Sequence, residues 1–195
     1  MTPYAPTFFI PVLLLALSAC SSAGTSVAEQ NRNPLTASRY GDELADSMAN
    51  LIIMEDPAAK DPDVRKIIES EIARGKSIAE DARDIQSKGW LGGLIGIKGQ
   101  VSGYVLYLPD ELYLSSDFMT TPGSSLRAYL TTTIDPRDAV FPDPTALDIG
   151  SLQASYGAQA YRVPAQQEPG KFRTFVIYDT RLKMIYGFAQ LSRRG

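Results

Sequence analysis

The second half of the sequence restricts the fold most, because it is rich in aromatic residues and repeatedly broken by turn signals. From residue 104 onward lie eight of the ten tyrosines and five of the seven phenylalanines. Apolar residues alternate with polar or amphipathic ones at 112–114 and 126–130, and residues 172–178 and 184–191 have the composition of two more strands joined by a turn. Several short strands separated by turns predict an antiparallel sandwich or barrel.

Residues 38–88, which precede this region, have the pattern of two helices. Apolar residues recur there at three- and four-residue intervals in two stretches, and Pro57 is expected to end the first helix. Asp61 followed by Pro62 is a typical helix start. Gly75 interrupts the second helix and is expected to cost about 1 kcal/mol relative to alanine. The pattern predicts a helical hairpin whose charged residues form a solvated face or, alternatively, an acidic docking surface.

The N-terminus carries an apolar run at residues 8–17. Ten residues are too few to span a bilayer, which needs about 20, but they suit the core of a signal peptide. The sequence LSAC that ends at Cys20 resembles the lipobox of bacterial lipoproteins. The resemblance implies removal of residues 1–19, a diacylglycerol on the Cys20 thiol and acylation, as by palmitate, of the new amino group. The alternative is an ordinary cleaved signal with a chance cysteine.

The lipobox resemblance has consequences for location. Ser21, rather than aspartate, follows the cysteine, and in many Gram-negative lipoproteins this implies export to the outer membrane, facing the periplasm or the cell surface. Residues 20–37 are dominated by small and polar residues and are expected to be a flexible tether. The glycine-rich segment 89–100 is interpreted as a hinge before the β-domain at 101–195, or as a patch that touches a membrane or partner.

Composition excludes several kinds of chemistry. The chain has no histidine and a single cysteine, so histidine-based triads, histidine-ligated haem and intrachain disulfides are excluded. A net charge of −3 does not suit a nucleic-acid partner. The loop at 134–148 holds four aspartates, a pattern open to calcium, but three prolines and loose spacing favour an ordinary solvated loop. We therefore expect no catalytic residue, cofactor or metal ligand.

Four motifs follow one another along the C-terminal half. Residues 102–105 read SGYV, residues 114–130 contain L-x-x-x-F-x-T-x-x-G followed by LRAYL, residues 147–161 contain LDIGSL and GAQAY, and residues 175–191 form a closing pair of strands. In this order they resemble the DM-thirteen (DM13) domain, labelled electron transfer DM, which occurs alone in many bacterial lipoproteins. The resemblance implies an antiparallel β-sandwich, preceded here by the helical hairpin, in a mainly β protein.

One position departs from the family pattern. Many members carry a cysteine directly after the aromatic residue of a V-I-W/Y-C motif, and this cysteine is the basis for the proposed electron transfer. Here Asp179 follows Tyr178. A carboxylate cannot cycle between thiol and disulfide states, so Asp179 is not expected to be redox-active.

These observations rank three functional hypotheses. The leading one is a lipid-anchored, non-catalytic binding or structural module of the cell envelope, held to the membrane through Cys20, with an envelope protein as its candidate partner. The alternative, implied by the family label, is a component of an envelope electron-transfer chain. A hydrolase is the weakest, because the sequence does not show which two of its carboxylates, if any, converge in a cleft.

Overall fold

The computed structural model describes residues 31–138 and 140–193, so residues 1–19 and Cys20 lie outside the described part. Within it, two α-helices and a 3-10 turn are followed by twelve β-strands and two further 3-10 turns. The elements are α1 (Pro34–Ile53), α2 (Pro62–Ser87), β1 (Trp90–Gly93), β2 (Ile95–Gly96), β3 (Val101–Ser102), β4 (Tyr104–Tyr107), β5 (Glu111–Leu114), β6 (Met119–Thr120), β7 (Leu126–Thr131), β8 (Leu147–Ser151), β9 (Gln159–Arg162), β10 (Thr174–Asp179), β11 (Met184–Gln190) and β12 (Ser192–Arg193), with 3-10 turns at Pro57–Lys60, Pro136–Asp138 and Pro169–Lys171.

The strands form two five-stranded antiparallel sheets and a small two-stranded ribbon. The first sheet has the order β12-β1-β4-β5-β9, the second has the order β2-β11-β10-β7-β8, and the ribbon pairs β3 with β6. Inward-facing residues of both large sheets share one apolar core, in which Leu112 and Leu114 of the first sheet meet Leu130 and Phe175 of the second. The predicted antiparallel β-sandwich is confirmed.

The predicted closing hairpin lies at the centre of the second sheet. Strand β10 pairs with β11 on one side and with β7 on the other. All six of its residues are buried, because its inward side chains enter the core and its outward ones lie under a loop. This position explains why the four residues between Thr174 and Asp179 are all apolar or aromatic.

The two helices form the predicted hairpin. The Asp61 side chain accepts hydrogen bonds from the Asp63 amide (2.8 Å) and the Val64 amide (3.3 Å), so α2 is capped as expected. Helix α1 ends at Ile53, four residues before Pro57, so the proline lies in the connection and does not itself end the helix.

The helices touch where two glycines face each other. A Cβ atom placed on Gly75 would lie 2.6 Å from the Gly41 carbonyl oxygen and 2.9 Å from the Ala45 amide nitrogen. Glycine therefore allows a backbone contact that no larger residue permits. Gly75 was expected only to weaken α2, and the structure corrects this by giving it a packing role.

Two segment boundaries differ from the sequence analysis. Helix α1 begins at Pro34, so residues 34–37 belong to the hairpin rather than to the tether. The segment 89–100, interpreted as a hinge, contributes β1 to the first sheet and β2 to the second. Its glycines permit close packing: a Cβ on Gly92 would lie 2.3 Å from the Gln190 carbonyl oxygen.

One buried amide side chain joins the base of the helical hairpin to the first sheet, and a second joins its two helices to each other. Asn33 caps α1 by accepting a hydrogen bond from the Leu35 amide (3.0 Å), and its side-chain nitrogen donates to the Leu114 carbonyl of β5 (2.7 Å). Gln86, near the end of α2, donates to the Pro34 carbonyl (2.8 Å). Each amide is 6% exposed, so the hairpin is fixed to the sandwich at this end.

Candidate functional site

Asp179, the position that the sequence singles out, ends β10 and is 0% exposed. Its carboxylate accepts hydrogen bonds from the loop before β7: the Ser124 amide (2.6 Å), the Ser124 hydroxyl (2.9 Å) and the Ser125 amide (3.2 Å). From its own turn it accepts the amides of Arg181 (3.0 Å) and Leu182 (2.9 Å). The carboxylate therefore closes the β10–β11 turn and ties it to the neighbouring loop.

The electrostatics of this position favour a side chain that is ionised at neutral pH. Burial by itself raises the pKa of Asp179, but the hydrogen bonds from the Leu182 amide and the Ser124 hydroxyl outweigh it and bring the pKa to about 2. A Cβ on Gly123 would lie 2.8 Å from the Asp179 Oδ2 atom, so glycine leaves room for the carboxylate. At neutral pH the group acts only as an acceptor, and the donors around it belong to the backbone and to Ser124.

A second candidate is a cleft of about 650 Å³ at the base of the helical hairpin, between the start of α1 and strands β5 and β9. Arg32 and Thr36 line it from the helix side, and Tyr113 lines it from the sheet. The Tyr113 hydroxyl donates to the Glu111 carboxylate. Burial and this hydrogen bond raise the pKa of Tyr113, so the phenol keeps its proton. The polar lining suits hydrogen bonding to a ligand better than acid–base chemistry.

The sandwich region of the chain matches the model of a known domain family. Residues 95–191 match the family model described as Electron transfer DM13. The C-terminal domain is DM13-like. The match begins at β2 and ends directly after β11, so it leaves out the helical hairpin, β1 and β12. No curated protein and no solved structure matches the chain.

The structure explains the glutamine and the tyrosine of the GAQAY motif, which are Gln159 and Tyr161. Gln159 in β9 is 4% exposed. Its side-chain oxygen accepts from the Tyr161 hydroxyl (2.5 Å) and the Gln153 amide (3.1 Å), and its nitrogen donates to the Ala154 carbonyl (2.8 Å). Burial raises the pKa of Tyr161 to about 12. This pair holds the loop before β9 against the sheet, beside the cleft at the base of the helical hairpin.

The acidic loop at 134–148 does not bring its carboxylates together. Asp135 pairs with Arg137 (2.9 Å), Asp143 accepts from a threonine hydroxyl (2.6 Å), and Asp148 pairs with an arginine of β7 (2.8 Å). Among the described residues, no three side chains of histidine, cysteine, aspartate or glutamate are grouped so that they could hold a metal ion. The carboxylates serve local turns and ion pairs.

Cys20, the predicted lipid attachment site, lies outside the described residues, so the lipid remains a prediction. In the part of the chain that the structure describes, neither helix combines the length and apolar character needed to cross a bilayer.

Three residues that the sequence analysis did not single out hold these regions in place: Asn33, Gln86 and Ser124. Asn33 had a usable signal, because it precedes a proline as Asp61 does at the start of α2. Gln86 and Ser124 had none, because their partners lie 52 and 55 residues away in the sequence.

Proposed function

We propose that the chain is a lipid-anchored protein of the bacterial cell envelope whose DM13-like domain is a non-catalytic binding or structural module. The sequence LSAC ending at Cys20, directly after an apolar run, supports the anchor. The observation that carries the functional part is the environment of Asp179. Where the family resemblance implies a redox cysteine, this chain has a buried carboxylate bound to its own turn and to the loop before β7.

The Asp179 carboxylate holds two segments of the chain together through hydrogen bonds that a thiol would not form. A cysteine has a weak donor and a weak acceptor, whereas Asp179 receives donors on both oxygens, from Ser124 on one side and Leu182 on the other. Charge-assisted hydrogen bonds of this kind are roughly twice as strong as neutral ones. The position is thus specialised for closing the hairpin, which favours a domain that works through a stable surface rather than through electron exchange.

The tether sets how far the domain lies from the membrane. Helix α1 begins at Pro34, 14 residues after Cys20. At about 3.5 Å per residue, a fully extended tether reaches about 50 Å. The base of the helical hairpin would therefore lie within about 50 Å of the bilayer surface, and the domain would extend beyond it by its own length.

Fractionation of cells that produce the full chain tests the anchor. We expect the wild-type protein in the membrane fraction with the added mass of a lipid on Cys20, because several acyl chains hold a protein firmly. Cys20→Ser should release the protein from the membrane or leave it with an uncleaved leader. A wild-type product with a bare Cys20 thiol in the soluble fraction would contradict the anchor.

A role in an envelope electron-transfer chain is the second candidate, and the description of the matching family model favours it. The discriminating measurement is the absorption spectrum of the protein purified from its native membrane. A haem, flavin or copper band that stays with the protein through purification supports this candidate. A featureless visible spectrum supports the binding module.

A further inference from the structure

The outer face of the second sheet, away from the core, carries a cluster of three rings that we call the aromatic platform: Tyr129, Phe141 and Tyr178. Tyr129 and Tyr178 come from β7 and β10, and Phe141 comes from the loop that crosses this face. The ring centroids lie 5.2–6.1 Å apart in edge-to-face arrangements. Each residue is less than a tenth exposed, so the rings have fixed positions.

A pocket of about 280 Å³ opens beside the aromatic platform, with Phe141 and Tyr178 in its wall. Three cationic side chains line the same pocket: Lys98, Arg137 and Lys183. They come from three separate parts of the chain, namely the β2–β3 loop, the 3-10 turn Pro136–Asp138 and the β10–β11 turn. The pocket therefore exists only in the folded domain, and the sequence does not show that these charges meet.

The backbone fixes where the Lys98 and Lys183 side chains begin, and a neighbouring ring positions the Arg137 guanidinium. The Lys98 amide donates to the Tyr186 carbonyl of β11 (3.0 Å), which anchors the β2–β3 loop to the sheet. The Arg137 guanidinium lies over the Phe188 ring, 5.2 Å from its centroid. Lys183 has a backbone φ of +53°, a left-handed conformation that side chains other than glycine, asparagine and aspartate rarely adopt. A left-handed residue commonly closes a short β-hairpin loop, so this conformation belongs to the β10–β11 turn and fixes where the Lys183 side chain begins.

The charges of the pocket are only partly compensated. Asp135 forms a bidentate salt bridge with Arg137 and is the main cause of the raised pKa of Arg137. The exposed Asp138 makes a smaller contribution to the same shift. Lys98 and Lys183 form no ion pair with any carboxylate of residues 31–138 or 140–193. The pocket thus keeps two ammonium groups available beside an apolar, ring-lined wall.

We propose that this pocket binds a small aromatic anion: a ring that carries a carboxylate or a sulfonate group. The two ammonium groups of Lys98 and Lys183 would hold the anion, and the ring would pack against Phe141 and Tyr178. A volume of about 280 Å³ admits one ring or two fused rings, but little more. The site lies apart from the cleft at the base of the helical hairpin, and it does not depend on the proposed lipid anchor.

Isothermal titration calorimetry of the full-length chain with benzenesulfonate tests the proposal. Benzyl alcohol supplies the ring without the charge, and methanesulfonate supplies the charge without the ring. We expect saturable binding of one benzenesulfonate per chain and at least tenfold weaker binding of the other two probes. The double variant Lys98→Gln/Lys183→Asn should lower the benzenesulfonate affinity at least tenfold.

Two controls separate binding from folding and from overall charge. Asparagine tolerates the left-handed backbone at position 183, so the double variant should melt no lower than the wild type. The variant Lys60→Gln/Lys76→Gln also removes two positive charges, but from the helical hairpin, and should leave the benzenesulfonate affinity unchanged. The proposal is overturned by equal affinity in the wild type and the Lys98/Lys183 variant, by equal affinity for methanesulfonate, or by no saturable binding at millimolar benzenesulfonate.

Discussion

Replacing Gly75 by alanine sets two opposite effects against each other at the helix crossing. In an isolated helix alanine is favoured over glycine by about 1 kcal/mol. Here the new Cβ atom would lie 2.6 Å from the Gly41 carbonyl oxygen and 2.9 Å from the Ala45 amide, and both are backbone atoms that move only if the helices separate. Overpacking of this kind costs about 1–3 kcal/mol, and separation also loosens the packing of Ala79, which is 1% exposed. The cost less the gain in helix propensity leaves a loss, and we expect Gly75→Ala to lower the free energy of unfolding by up to about 2 kcal/mol.

Urea denaturation followed by far-ultraviolet circular dichroism measures this change, because the signal reports mainly on the helices. The matched control is Ser70→Ala, an exposed position of the same helix. Alanine there improves helix propensity without a new contact, so the free energy of unfolding should stay the same or rise slightly. If Gly75→Ala stabilises the protein as the control does, the close helix contact does not exist in solution and the reasoning is wrong.

Two further predictions concern the polar contacts that fix the domain. Asn33→Ala removes a helix cap, worth about 1 kcal/mol, and leaves the buried Leu114 carbonyl without its side-chain donor, worth about 1 kcal/mol more. Urea denaturation should therefore show that the free energy of unfolding falls by about 2 kcal/mol. A change within error of zero would mean that Asn33 does not hold the helical hairpin on the sheet. For Asp179 the pKa is about 2 in the folded chain against an ordinary 3.8, so the ionised group stabilises the fold above pH 4, and this contribution is lost as the pH falls through 2. The stability gap between the wild type and Asp179→Asn, measured by urea denaturation at each pH, should therefore narrow from about pH 4 to pH 2, and a gap independent of pH would contradict the role given to the carboxylate.

The sequence predicted those elements whose signals are local. The Asp61-Pro62 start of α2 and the closing strands β10 and β11 were recognised from a few neighbouring residues, and the structure confirms them. The start of α1 was missed although Asn33-Pro34 carries the same signal, because the small polar residues around it resemble a linker. The glycine-rich segment 89–100 was misread for a related reason: glycine signals flexibility in a sequence, but here it allows strands to pack closely.

The functional sites depend on contacts that a single sequence does not show. Asp179 was identified by resemblance alone, and only the structure shows that its partners include Ser124, 55 residues earlier. The pocket beside the aromatic platform brings together Lys98 and Lys183, which are 85 residues apart in the sequence. Nothing in the periodicity of either segment indicates that their side chains share a cavity, because periodicity reports which face of an element is buried and not which loops meet.

The proposal that the domain is not an electron carrier is tested most directly by counting the electrons that the chain accepts. The full-length protein, purified from the cells that produce it, is titrated coulometrically with a mediator across the potential range of biological redox proteins. We predict no electron uptake by the chain, because position 179, where the family resemblance implies a redox cysteine, carries the bound carboxylate of Asp179. Reversible uptake of one or more electrons per chain would contradict this prediction and would assign the protein to an electron-transfer chain.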